Sequence, residues 1–207
     1  MANRGAILRG RGPSVFPSSL IDHIVHVHPL VAVALYTPVI VITAVASLDH
    51  AAPLVLVAWA VGGYLTWTLA EYWGHRIVLH FEPEQGWGAW FHHIVHGLHH
   101  EYPQDARRAI MSPLLSIPVV ATALVLSIVV VGLPSMYAAG FVFGYLSYDL
   151  IHLYLHHSRP KAGPMRWLHE LHMRHHFRDD TRGFGVSAPY WDKVFGTSIT
   201  RSRRAAQ

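Results

Sequence analysis

The sequence contains no cysteine. That excludes disulfides, thiolate-ligated haem and cysteine-bound iron–sulfur clusters from this chain, and leaves nitrogen and oxygen to hold any metal. Charge is scarce as well. Asp, Glu, Lys and Arg make up 14% of the 207 residues, while 52% are hydrophobic; soluble domains carry roughly 25% charged residues. The deficit argues against an ordinary soluble domain and for a membrane. A pI near 9.6 would suit a nucleic-acid partner, but the basic residues flank apolar segments instead of alternating with aromatics on a polar face. Membrane lipid headgroups are therefore the expected anionic neighbour, and no nucleic acid is expected. The opening MANRGAILRGRGPSVF lacks the apolar run of a cleaved signal peptide, so none is expected. No internal repeat stands out at periods of 20–50 residues.

What is present begins with long uncharged runs. Val31 to Leu48 has 18 residues without a charge, about 27 Å as a helix and close to one hydrocarbon core. Pro38 within it should kink the helix, not end it. Ala51–Ala70, Leu114–Val131 and roughly Ser135–Leu155 read the same way, linked in pairs by turns at Asp49–Pro53 and Gly132-Leu133-Pro134. The expected fold is an all-α integral membrane protein of four transmembrane helices in two hairpins. A cytosolic helical cap, residues 71–113 and 156–200, would hold a histidine-rich di-metal site, all within a single domain, 1–207. Arg4, Arg9 and Arg11 precede the first run, Arg76, Arg107 and Arg108 lie between the second and third, and the other ten basic residues follow the fourth. The two hairpin turns have none, so both termini and the central loop are expected on the cytoplasmic side of a multi-pass protein.

The 18 histidines cluster on that same side. The clusters are His75 and His80; His96, His99 and His100; His152 and His156; and His172, His175 and His176. Residues three and four apart share a helical face, so each His-x-x-His-His triad is expected to converge on one point. His75 and His80, five apart, fit less well; they either serve different ions or sit where the helix unwinds. Ten imidazoles exceed the four to six ligands of one metal, so two ions are implied, and imidazole suits iron, zinc, copper and nickel. His23, His26, His28 and His50 read as interfacial or loop residues, His92 and His93 as hydrogen-bonding neighbours, and His157 and His169 as non-ligands. A zinc peptidase would need His-Glu-x-x-His; His169-Glu170-Leu171-His172 is one residue too short. A metal carrier should show polar residues along a transmembrane path, and the first and third runs have almost none.

Four stretches between Glu71 and Thr197 resemble the fatty acid hydroxylase and sterol desaturase superfamily, most nearly its fatty acid 2-hydroxylases. They are HRIVLH (75–80), HGLHHEYPQDARRAIMSP (96–113), GYLSYDLIHLYLHH (144–157) and HMRHHFRDDTRGFGVSAPYWDKVFGT (172–197). The resemblance implies two iron ions held by the ten clustered histidines, zinc being able to replace iron at such sites, with O₂ as co-substrate. It implies hydroxylation of a fatty acyl lipid at C2. Many relatives carry a fused haem domain and this sequence shows none, so electrons are expected from a separate donor protein. Tyr102, Arg107 and Arg108 are candidates to grip the acyl headgroup, and Glu71, Glu101 and Asp149 to orient ligand rings. Trp87, Trp90, Trp167 and Trp191 read as interface anchors. Sterols, carotenoids or sphingoid bases are the alternative substrates that the superfamily implies.

Overall fold

The computed structural model describes residues 27–81, 83, 85–131 and 135–199. Arg4, Arg9, Arg11, His23 and His26, the turn Gly132-Leu133-Pro134, and Arg201, Arg203 and Arg204 lie outside the described residues. Within them the chain is helical, with no strand. Helix α1 (Pro29–Ser47) and helix α2 (Pro53–Trp73) form the first hairpin, and α2 continues as a π-helix, Gly74–Leu79. Short α3 (Gly86–His92) passes through a second π segment, His93–Gly97, into α4 (Leu98–Glu101). Then come α5 (Pro113–Val131), α6 (Met136–His157), α7 (Gly163–Phe177) and the single turn α8 (Tyr190–Val194).

Proline marks the entries. Pro29, Pro53 and Pro113 open α1, α2 and α5, where a missing N–H costs nothing and the fixed φ suits the first turn. His28 caps α1 by accepting the Leu30 N–H at Nδ1, and Ser112 accepts the Leu114 N–H ahead of α5. Helix α1 runs through Pro38 without ending. Among the described residues, three helical stretches are long and apolar enough to cross a membrane: Pro29–His50, Pro53–Leu79 and Pro113–Val130. Their outer faces are bare, with Leu54 80% and Val130 79% exposed; surface this apolar is stable only against lipid or another apolar partner.

The fourth expected span, α6, has the length but not the uniform hydropathy, because Tyr145, Tyr148, Asp149 and His152 lie on it. It is instead the most enclosed of the long helices. Tyr36 of α1, Trp67 of α2 and Tyr145 of α6 form an edge-to-face cluster with centroids 5.0 and 5.1 Å apart, and the Tyr36 hydroxyl bonds Ser116 of α5 at 2.6 Å. Helices α2 and α6 touch backbone to backbone. A Cβ on Gly63 would stand 1.9 Å from the Tyr137 carbonyl oxygen, and one on Gly140 2.0 Å from that of Ala60. Small residues that allow such an approach are how apolar helices pack when burial from water does not drive them together. The tail docks on the lower part of α2: Trp191 Nε1 donates to Thr68 and Tyr72 bonds Thr197. Trp191 therefore faces inward, whereas Trp87, Trp90 and Trp167 are exposed as interface residues should be.

Candidate metal centre

At the end of the α2–α6 pair, the ten clustered histidines assemble into two groups of five. One holds His75, His80, His96, His100 and His175; the other holds His99, His152, His156, His172 and His176. Within each group one ring nitrogen per residue lies within 4.8 Å of all the others.

Neither His-x-x-His-His triad converges on a single point, contrary to expectation. His96 and His100 go to one group and His99 to the other; His172 and His176 go to the second and His175 to the first. At 3.6 residues per turn the i+3 side chain lies about 60° to one side of residue i and the i+4 side chain about 40° to the other. Two adjacent imidazoles so splayed can flank two points but not share one. His75 and His80 do share a group. The π-helix between them closes an i→i+5 bond, His80 N–H to His75 C=O at 3.0 Å, which stacks residues five apart. Of the two expectations for this pair, the widened helix is the one seen. A second π segment precedes His99.

The groups are related by exchange. The half containing α2 to α4 gives four rings to the first group and His99 to the second, while the half containing α6 and α7 gives four to the second and His175 to the first.

Ring nitrogens meet tip to tip. In the first group Nε2 of His80 lies 3.0 Å from those of His175 and His96, and His75 and His96 are 3.2 Å apart. In the second, His172 to His156 is 2.8 Å and His156 to His152 is 3.1 Å. Three rings have fixed tautomers. His75, His152 and His175 donate Nδ1–H to the carbonyls of Phe184, Ala109 and Arg182 at 2.7, 2.8 and 2.7 Å, which turns an Nε2 lone pair inward. Lone pairs facing one another at 3 Å repel unless an electrophile lies between them. Ligands about 2.0–2.1 Å from an ion sit roughly 2.9–3.4 Å from each other, and the observed edges fall near that range. Both ring nitrogens of His99 and His176 are buried without a hydrogen-bond partner among the described residues, as expected of a donor set that could hold metal. Burial, reinforced by neighbouring imidazoles, holds the pKa values of His96, His99, His172 and His176 well below 6.5 and lowers His80 to about 3. The rings are therefore neutral and available as ligands at pH 7.

The other candidates divide. Arg108 is buried, with Nε 3.4 Å from Asp105, and half-exposed Arg107 reaches the same carboxylate at 3.8 Å. Both line an apolar cavity of about 210 Å³ whose wall includes His96, His99 and His152, with Trp90, Ile94, Leu98, Ile110 and Leu115 around it. Tyr102 is not part of that lining. Glu101 is exposed and faces His93 at 3.8 Å, away from both groups. Glu71 accepts the Ser187 N–H at 2.7 Å and the Ser187 hydroxyl; Asp149 accepts the Met111 N–H at 3.2 Å. His157 bonds the Leu153 and Gln104 carbonyls, and neither it nor His169 joins a group.

Sequence reasoning missed Asp192. Its carboxylate accepts from the N–H groups of Phe184 and Gly185, both at 2.9 Å, and from Thr197 Oγ1 at 2.7 Å. It thereby folds the Gly-Phe-Gly-Val loop that offers a carbonyl to His75. The signal was in the Trp-Asp-x-Val-Phe-Gly-Thr motif, whose Asp and Thr are these two residues.

Sequence and structure comparisons agree with one another. The sequence model of the fatty acid hydroxylase family matches residues 60–197. A dihydroceramide fatty acyl 2-hydroxylase of Arabidopsis thaliana is 39% identical over 143 residues, 65% of this chain and 58% of that protein. A ceramide very long chain fatty acid hydroxylase of Saccharomyces cerevisiae is 41% identical over 66% of this chain and 37% of its own length. The fatty acid 2-hydroxylase of Homo sapiens is 34% identical over 65% and 38%. The chain thus spans less than two thirds of the length of these relatives. A solved structure described as full-length scs7p, with only the hydroxylase domain visible, superposes with a TM-score of 0.82 at 34% identity, covering 92% of this chain and 74% of that one.

Proposed function

This chain belongs to the fatty acid hydroxylase family, and from that premise we propose that it is a membrane di-iron monooxygenase that hydroxylates a fatty acyl chain at C2. The observation that carries this reading is the cavity. It is apolar, and its wall includes His96 from one histidine group and His99 and His152 from the other. When bound, the two iron ions supply what no side chain can, reductive activation of O₂ to an oxidant able to take an unactivated C–H hydrogen. The balance is C–H plus O₂, two electrons and two protons giving C–OH and water. A separate donor protein delivers the electrons.

The chain's own residues bind, orient and exclude water. At about 210 Å³ the cavity is smaller than the roughly 300–1,000 Å³ pockets that enclose drug-sized ligands. One end of a long acyl chain fits; with its carboxyl end held at Arg107, the remainder would run out along the exposed apolar side of α5, past Leu114 and Ile117. Such a pose would bring C2, not a distal carbon, toward the histidine groups. Arg107, less enclosed than Arg108, faces the polar head; Arg108 holds the cavity wall through Asp105. Neutral imidazoles without carboxylate ligands leave each ion more cationic than in carboxylate-rich di-iron bundles. The relation of α6 to the other long helices supports a fourth membrane crossing, and the distribution of arginines supports a cytoplasmic face for the site and both termini.

Mass spectrometry of lipids from a host expressing the protein tests this. A 2-hydroxy acyl product that vanishes in His99→Ala is expected. A hydroxylated sterol, carotenoid or sphingoid base would refute the substrate assignment, and iron-independent activity would refute the metal.

A further inference from the structure

Two buried carboxylates, Glu71 and Asp149, belong to neither histidine group, yet they occupy matching places. Glu71 lies one turn before His75 on α2, and Asp149 one turn before His152 on α6. Among the described residues neither hydrogen-bonds a ligand ring, and neither is matched with an arginine among the ion pairs. Glu71 takes the Ser187 N–H and hydroxyl, three residues beyond the Phe184 carbonyl that fixes His75. Asp149 takes the Met111 N–H, two residues beyond the Ala109 carbonyl that fixes His152.

We propose that Glu71 and Asp149 are positioning residues that each set the tautomer and ring direction of one metal-ligating histidine by clamping the loop whose carbonyl holds that ring; this rests on the reading that the two groups hold metal. The arrangement is reciprocal. The loop clamped by Glu71 follows the triad on α7, in the other half of the chain, and the loop clamped by Asp149 follows the triad that ends on α4. Each half therefore lends the other the carbonyl that orients its leading histidine. Each carboxylate should govern one group only, Glu71 the first through His75 and Asp149 the second through His152. Removing an outer partner of a ligand histidine typically lowers metal affinity about 10- to 100-fold.

Cobalt(II) binding to the purified full-length chain, followed by visible absorption and metal stoichiometry, separates the possibilities. Wild type is expected to take two ions per chain. In a His172→Ala background, which disables the second group, Glu71→Ala should weaken the remaining site by up to about tenfold and Asp149→Ala should leave it unchanged. In a His80→Ala background the pattern should reverse. Glu71→Gln keeps an oxygen for the Ser187 N–H and should recover most of the affinity and the absorption spectrum. Should Glu71→Ala fail to fold, Ser187→Ala, which removes one of the two bonds to the carboxylate, carries the same group-selective expectation. Equal weakening of both groups, or of neither, overturns the inference while leaving the metal reading intact. A wild-type chain that takes up no cobalt overturns both.

Discussion

Gly140→Ala tests whether the α2–α6 crossing sets the geometry of the histidine groups. The added Cβ would lie 2.0 Å from the Ala60 carbonyl oxygen and 2.9 Å from its Cα. Both are backbone atoms and neither can rotate away, so reaching even 3.0 Å requires the helices to part by about 1 Å. Overpacking of this kind costs roughly 1–3 kcal/mol. A backbone clash belongs at the upper end, or roughly 6–12 °C in melting temperature for a chain of this size. The displacement also reaches the site, because α2 leads into His75 and α6 carries His152 and His156. Metal–ligand distances tolerate only about ±0.2 Å, so metal content after dialysis should fall together with stability. Two controls fix the cause. A Cβ on Gly62 would make an ordinary 3.7 Å contact with the Tyr137 ring, and one on Gly74 would meet nothing within 4 Å. Both alanine variants should therefore melt within about 2 °C of wild type and keep their metal. Thermal melts and metal analysis of the three variants decide the matter. If Gly140→Ala behaves like Gly62→Ala, the crossing does not position the site.

Acid should destabilise the metal-free protein. The clustered rings have folded pKa values below 6.5, so the unfolded chain binds more protons. Stability is then fully present above pH 6.5 and falls as pH drops below it; an apo melting temperature constant from pH 7 to 4.5 would contradict this. Asp192→Ala removes two hydrogen bonds from the loop that holds His75 and one from Thr197, and should lower the melting temperature more than Asp192→Asn, which keeps one acceptor oxygen; the reverse order would argue against the clamp. Arg108→Ala strips Asp105 of its nearer arginine in a buried setting and should cost about 3 kcal/mol. Arg107→Ala should instead raise the apparent KM for the acyl substrate with little change in melting temperature, and equal melts for the two arginine variants would undo the distinction.

Which parts of this architecture could be read from the sequence follows the range of the interactions involved. The long helices were legible to within a few residues because each is encoded by its own composition: a long apolar run and, for α1, α2 and α5, a proline where it starts. The ten histidines were legible as a set because spacings of three and four mark a helical face. His75 and His80 were ambiguous for a stated reason, since no local feature distinguishes a π-helix from an α-helix before its bonds are seen.

What could not be read was how the set divides. A triad on one helix offers its middle histidine to one side and its outer pair to the other, but which side faces which ion depends on where the other three segments arrive. The same limit applies to the carboxylates. Glu71 and Asp149 could be picked as residues near the ligands, whereas their partners, Ser187 and Met111, lie 116 and 38 residues away. Glu101, adjacent to His100, looked equally suitable and points outward to His93. Proximity in sequence does not separate these three carboxylates, because what distinguishes them is contact with a loop from the other half of the chain. The histidine pattern marks which rings can gather, and the proposed carboxylate clamps would specify which way two of them face. On that reading a variant that preserves every histidine should still be able to lose one ion and keep the other.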